Sequence, residues 1–505
     1  MAVWYLYSLL IFLVTSIFTR HFLNKIQNLP PTPFPCLPVI GHLYLLKRPI
    51  YRTLSRISKR SGDVLLLQFG SNRVLVVSSP SAAQECFTKN DIIFANRPHF
   101  LMGKHLAYNF TAISWAPYGD HWRNLRRISS LELLSPTRLQ MLYHIRADEV
   151  RTMIRNLLES QDQVVDLRTS FFELALNIMM RMIAGKRYYD KNVEDVREAN
   201  RFRELHDETL KLSGLTAIED FLPWIKSWDL ERKLIECQKK RDGFMQDLIE
   251  EGRRKMKFDS CDGERKKTMI DVLLSLQESE PEYYSDLIIK GLMLILLMAG
   301  TDTTINTMEW ALSLLLNHPE ELKRAETEIK NQIPEGRLLH ESDLPNLPYL
   351  RCIINETMRL YPAAPLLAPH RSSAECSVGG FRIPAGTTLM VNVWAIQHDP
   401  KIWEDPTKFK PERFREMSET AGAGAKDGYC LMPFGSGRRS CPGDGLAMKV
   451  IGLTLGSLIQ CFEWTRADKE MVDMTEGVSF TLQKAKPLRA KCRPRATMAE
   501  LLSKI

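Results

Sequence analysis

The sequence predicts a mainly α-helical fold with small β-sheets. It is organised as one large domain (residues 42–505) behind an N-terminal membrane anchor (1–23) and a proline-rich hinge (24–41). Three observations predict this. Helical periodicity of apolar residues dominates from about Ser81 to Lys330. Strand-like runs are short and few. A glycine-rich cysteine loop near the C-terminus needs chemical partners that lie far upstream, so the intervening chain must fold as one unit.

The first eighteen residues, Met1 to Phe18, are apolar and uncharged, and with Phe22 and Leu23 they approach the length of a bilayer span. A cleaved signal peptide is the competing reading, but a basic leading region and a small-residue cleavage site are both missing. Positive charge follows the segment at Arg20, Lys25 and Arg48, which predicts a cytosolic body. Pro30, Pro31, Pro33 and Pro35, followed by Pro38, make a stiff spacer. Val64–Gly70 and Arg73–Ser78 read as strands joined by a short turn. Glu251–Lys267 and Glu416–Gly428 read as polar loops, the first rich in charge. Ser285–Leu315 reads as a long helix, apolar nearly all round between Leu287 and Ala299, hence buried. A second membrane span is the alternative, opposed by Lys290 and Asp302. Phe381–Val393 returns to strand with a turn at Pro384–Gly386.

Hydrophobic and charged contents of 44% and 25% are ordinary for a globular protein. The net charge of +8 carries no dense basic stripe interleaved with aromatics, so a nucleic-acid partner is not expected. A membrane surface or an acidic protein partner suits it better. Ten cysteines occur without a C-x-x-C pair, which argues against zinc and against a disulfide framework.

Phe434-Gly-Ser-Gly-Arg-Arg-Ser-Cys441-Pro-Gly443 carries the most chemistry. Adjacent cations and backbone N–H groups favour a thiolate, and glycines let amides approach sulfur closely. Such a thiolate suits iron, and haem with a cysteine proximal ligand favours O–O cleavage. The bland alternative is one more buried cysteine. Ala299-Gly-Thr-Asp-Thr-Thr304 interrupts the buried helix with polar residues that must be satisfied or functional. A hydroxyl beside a carboxylate, Thr303 beside Asp302, can deliver protons. Alternatively the threonines only bend the helix. Glu356 and Arg359 share a helix face at i,i+3.

The cysteine loop resembles the haem-ligand signature F-x-x-G-x-R-x-C-x-G of the cytochrome P-450 monooxygenases at Phe434, Gly437, Arg439, Cys441 and Gly443. Leu347-Pro-Tyr-Leu, Leu360-Tyr-Pro-Ala-Ala-Pro and Gly452–Trp464 look like the plant microsomal group of isoflavone 2′-hydroxylases and sesamin synthases. The resemblance implies the cytochrome P-450 fold, with haem b bound through Cys441 and contacted by Phe434 and Gly435. It implies that Arg97, Trp122, Arg126, His370 and Arg439 serve the haem propionates, with Arg371 as a substitute for His370. It implies a structural ion network of Glu356, Arg359 and Arg413, and an oxygen-activating pair of Thr303 and Asp302 on the distal side. By family position a substrate pocket would draw on Phe100, Leu101, Phe110, Met298, Ala299, Leu366, Leu367 and Phe480.

The implied activity is NADPH- and O2-dependent hydroxylation of a hydrophobic plant metabolite, phenolic, flavonoid-type or terpenoid. Bridge-forming relatives tend to lose the threonine that Thr303 represents, which favours hydroxylation. Oxidative phenol coupling or ring closure remains open, and a reductase-independent isomerase or a haem sensor is more remote. Gly435-Ser-Gly437 departs from G-x-G-x-x-G at Ser440 and follows no strand. NADPH electrons are therefore expected from a separate NADPH–cytochrome P-450 reductase, with the protein anchored once in the endoplasmic reticulum membrane and facing the cytosol.

Overall fold

A computed structural model describes residues 2–160, 162–189, 196–214, 218–225, 228–259, 268–334, 336–415 and 428–504. Most of the predicted Glu416–Gly428 loop lies outside the described residues. Helix α1 runs from Ala2 to Ile26. Strands β1 (Val64–Phe69) and β2 (Asn72–Val77) form an antiparallel hairpin with Val64 opposite Val77. Helices α2 (Asp120–Ser129), α3 (Leu167–Ala184), α4 (Val196–Ser213), α5 (Trp228–Asp259), α6 (Asp286–Asn317), α7 (Pro348–Leu360) and α8 (Asp444–Cys461) build the body.

Two sequence expectations are corrected here. The charge-rich Glu251–Lys267 stretch is helical as far as Asp259, as the end of α5, and its last residues, 260–267, lie outside the described set. Its charges sit at helical spacing and pair: Lys255 with Glu251 at 2.7 Å, Arg253 with Glu250 at 2.8 Å. Such i,i+3 and i,i+4 pairs let a polar segment remain helical. Within the stretch expected to be helical, β3 (Val164–Asp166) is a strand, because it finds a partner far away in sequence: Val164 lies opposite Lys491 of β9 (Arg489–Pro494). The strand ends where Asp166 accepts from Thr169 N–H at 3.1 Å and so caps α3.

Strands β4 (His370–Arg371), β5 (Cys376–Val378), β6 (Phe381–Ile383), β7 (Thr388–Val391) and β8 (Phe462–Arg466) complete three small sheets, ordered β1-β2-β7-β4, β3-β9-β8 and β5-β6. β2 and β7 pair in parallel, Val74 beside Thr388, while β4 pairs antiparallel with β7, His370 opposite Leu389. This pairing sets His370 on the edge strand of the first sheet, beside the cavity described below.

Helix α6 is the core. It is long and apolar enough to cross a bilayer, yet 72% of its most apolar window is buried in protein. Burial in protein on this scale marks a core helix. Lys290, the charge that interrupts it, pairs with Asp242 of α5 at 2.7 Å. Helix α3 lies so close to α6 that a Cβ on Gly300 would sit 2.6 Å from Met179 Sδ. Met179 thus occupies much of the space that the missing side chain of Gly300 leaves, although Gly300 still borders the cavity described below.

Candidate active site

The cysteine loop is shaped by its own backbone. Cys441 N–H donates to the Phe434 carbonyl at 2.8 Å and Gly435 N–H to the Met432 carbonyl at 3.1 Å. Gly437 has φ +71°, and a Cβ there would lie 2.5 Å from Asp91 Oδ1 and 3.0 Å from the Phe87 carbonyl. Only glycine meets both demands. Gly443 N–H points at Cys441 Sγ, 3.4 Å away, and α8 starts immediately behind. An N–H aimed at sulfur favours its anion, but burial dominates and pushes the Cys441 thiol up.

Cys441 opens onto a cavity of about 1380 Å³ of atom-free space, part of it continuous with solvent. Its walls include Phe434 and Gly435 on one side, and Ala299, Gly300 and Thr303 of α6 on another. These three positions interrupt the burial of α6 because they border this space. Thr303 Oγ donates back to the Ala299 carbonyl at 2.7 Å, which is the helix-bending bond expected of it.

Three cations gather at the rim. Arg97 donates to the Ser114, Ala368 and Pro369 carbonyls. Arg439 donates to those of Ala95, Ile113 and Ala116 and lies over the Trp122 ring at 4.6 Å. Arg126 reaches the Ser440 carbonyl at 2.6 Å. Among the described residues none of the three pairs with a carboxylate. Burial lowers Arg97 to about 10 and, with its cationic neighbours, Arg439 to about 9. Half-buried guanidiniums without a counter-charge call for an anion. His370 is buried, donates from Nδ1 to the Phe94 carbonyl at 2.8 Å, and is held well below the usual imidazole range by burial and by Arg97. Its Nε2 can donate to a carboxylate only once an anion offsets those cations. Arg97, His370 and Arg439 line the cavity directly, with Trp122 and Arg126 a layer behind.

Asp302 is placed differently from Thr303. It faces another side of α6, into a polar cavity lined by His206, Arg203 and Lys484. Burial raises its carboxyl, and its Oδ2 has no hydrogen-bond partner. The candidate substrate residues also divide. Ala299 and Leu367 border the Cys441 cavity. Phe100, Leu366 and Phe480, again with Leu367, border a second apolar cavity of about 1260 Å³ of atom-free space. Leu367, at φ +53°, stands between the two. Met298 is buried in the core, Leu101 packs near Leu212 and Leu234, and Phe110 fills the space over Gly103. These three border neither cavity. Sequence reasoning missed Trp115 and Phe221, which pack against Phe100 tilted at 6.1 Å and edge-on at 5.8 Å, and wall the outer cavity. No sequence signal short of the fold marks them, since aromatics are usually core.

Behind the loop, Glu356 accepts from Arg359 at 2.7 Å and from Arg413 at 3.1 Å. Arg359 also donates to the Gln397 and Pro406 carbonyls. Gln397 links this group to the loop, giving Nε2–H to the Met358 and Arg359 carbonyls and accepting from Met432 N–H. Nothing local in the sequence marks Gln397.

The residues fit haem: a cysteine sulfur at the base of an apolar cavity for its iron, and, for its two propionates, half-buried guanidiniums that no carboxylate among the described residues pairs with. Fold and site together define a haem-thiolate enzyme. The sequence pattern of the family described as Cytochrome P450 matches residues 30–491. A (+)-piperitol/(+)-sesamin synthase of Sesamum radiatum is 47% identical, over 95% of this chain and 94% of its own length. An isoflavone 2′-hydroxylase of Glycyrrhiza echinata is 46% identical, over 97% of this chain and 96% of its own. A solved zebra fish cytochrome P450, in a structure with abiraterone, superposes with a TM-score of 0.75 at 25% identity, over 89% of this chain and all of that one. The chain belongs to the cytochrome P450 family, and it is a haem-dependent monooxygenase that takes O2 and, through a reductase, electrons from NADPH.

Because Gly437 is both strained for other residues and enclosed, Gly437→Ala is expected to displace the cysteine loop. Its yield of haem-loaded protein, read as ferrous–CO absorbance per total protein, should fall several-fold; a normal yield would show that the loop can absorb the methyl group.

Proposed function

We propose that this monooxygenase hydroxylates a hydrophobic plant specialised metabolite, phenolic, flavonoid-type or terpenoid. The observation that carries the reading is that Thr303 and Cys441 border the same apolar cavity, which an outer, aromatic-walled cavity adjoins. The names of its relatives, an isoflavone hydroxylase and a sesamin synthase, support the substrate range.

Each residue then has a task. Cys441 Sγ ligates the iron, steadied by Gly443 N–H. Arg97, Arg126 and Arg439 hold the propionates, His370 joins them once protonated, and Trp122 braces Arg439 from below. When bound, haem supplies O2 activation and insertion of one oxygen atom into a C–H bond. The Thr303 hydroxyl holds a proton on the cavity side of α6, and Asp302 brings protons from the polar side. The apolar walls orient substrate and exclude water. The reductase docks on the face of the protein nearest Cys441. Residues 1–23 anchor the protein in the endoplasmic reticulum membrane with the haem domain in the cytosol. The exposed Trp4, Tyr5, Ile11, Phe18 and Phe22 on α1 support this, as do Arg20 and Lys25 behind them.

The test is product mass from membranes carrying this protein and a plant reductase, offered flavonoids, lignans and terpenoids with and without NADPH. An NADPH-dependent product heavier by one oxygen is expected. One lighter by two hydrogens would replace hydroxylation with coupling or bridge formation. Thr303→Ala should cut product per NADPH at least about tenfold and divert electrons to hydrogen peroxide. Unchanged coupling would remove Thr303 from the proton route.

A further inference from the structure

The polar cavity behind α6 holds about 1020 Å³ of atom-free space, part of it open to solvent. Three buried polar atoms belong to its lining residues and have no hydrogen-bond partner: Asp302 Oδ2, His206 Nε2 and Ser479 Oγ. Buried polar atoms in folded proteins are nearly always bonded, and a roomy polar space with several unpaired atoms is where bridging water sits. His206 is not placed there by chance packing of its ring alone. Phe172 of α3 holds it edge-on at 5.3 Å and Phe202 of its own helix lies at 6.2 Å. Its Nδ1 faces the exposed carboxylate of Asp207 at 3.5 Å, which leaves Nε2 as the inner atom.

We propose that His206 is the relay that passes protons from solvent, through water in this cavity, to Asp302. With Nδ1–H held by the Asp207 carboxylate, the imidazolium releases its Nε2 proton through water to Asp302 Oδ2 and takes one back at Nε2 from solvent water entering the cavity, and no electrons move. Imidazole suits the task because its charge changes near neutral pH. The charged groups around it are Arg168 of α3, Arg203, Asp207 and Lys211 of α4, Asp302 of α6, and Lys484 of the C-terminal segment. Arg168 is committed to Glu309 at 2.9 Å, and Lys484 lies over the Trp310 ring and donates to the Asp473 carbonyl. Burial raises the Asp302 carboxyl and the charge on His206 opposes that rise, so the two groups sense each other. His206 acts through Asp302 and is a positioning and relay residue for the reaction. The inference rests on the reading of Asp302 and Thr303 as the proton route.

The test uses the full-length protein with its haem. Carbon-13-labelled histidine places the His206 signal by its loss in His206→Gln, and Asp302→Asn is expected to move that signal's titration midpoint by about half a pH unit or more. In turnover with reductase and the substrate found above, His206→Gln and His206→Phe should each raise the peroxide share of NADPH electrons several-fold. They should also flatten its pH dependence between about 6 and 8. The ferrous–CO band serves as the folding check and should persist in both. An unmoved midpoint in Asp302→Asn overturns the proposal, as do wild-type coupling and pH profile in both His206 variants. If Asp302→Asn uncouples while the His206 variants do not, the relay falls and the Asp302–Thr303 route stands. If Asp302→Asn itself couples normally, the underlying route falls and the relay with it.

Discussion

Cys441→Ala is expected to abolish both the red-shifted ferrous–CO band and all product formation. The loop should survive the change. Its shape comes from backbone bonds, Cys441 N–H to Phe434 O and Gly435 N–H to Met432 O, and from Arg439, which ties it to three carbonyls of the 95–116 segment. The substitution therefore removes the sulfur and little else. Haem held only by its propionates lacks the thiolate that pushes electron density onto iron and favours O–O cleavage. Spectra of the reduced, CO-bound variant decide the matter, with circular dichroism reporting the fold. A surviving red-shifted band would mean that another sulfur ligates. Cys86, Cys352, Cys461 and Cys492 are free thiols pushed up by burial to about 11 or beyond, away from thiolate character.

Glu356→Gln should cost about 3–5 kcal/mol, a large share of the roughly 5–15 kcal/mol that holds a typical fold. Glu356 and Arg359 are both fully buried, and Arg413 is nearly so. Neutralising the one carboxylate leaves two guanidiniums without counter-charge where water cannot reach them. The damage should reach the active site, because Arg359 and Met358 hold Gln397, and Gln397 holds Met432 at the mouth of the cysteine loop. The expected result is a much shorter half-life of the haem-loaded protein on mild heating, with loss of the CO band tracking loss of helix. Stability equal to that of the parent would show that the network contributes specificity of packing and little free energy.

The site was legible in the sequence where its chemistry is contiguous. Phe434 to Gly443 presents thiol, glycines and arginines within one short segment, and Glu356 with Arg359 lie one turn apart. The long helix was legible because a run of apolar residues around Asp302 and Thr303 has no solvent face. Elements that depend on distant partners were not. Val164–Asp166 is a strand only because Arg489–Lys491 arrives beside it, and Glu251–Asp259 is helical because its charges pair along one helix. Phe110, Leu101 and Met298 carry the same apolar character as Phe100, Leu366 and Leu367, and nothing local separates residues that border a cavity from residues that fill the core.

By itself the sequence determined the iron-binding chemistry, the family and the mainly helical architecture, since these rest on short-range patterns of residue type and spacing. Tertiary structure alone decided what each side of α6 meets. Neighbouring residues on a helix point about 100° apart, so Thr303 and Asp302 had to diverge, but only packing settles what they face. Helix α3, the cysteine loop and β4 enclose an apolar space on one side. On the other, α4 and the C-terminal segment leave a polar one and bring His206 to Asp302. Those neighbours lie far apart in the chain, and their meeting is a property of the folded core.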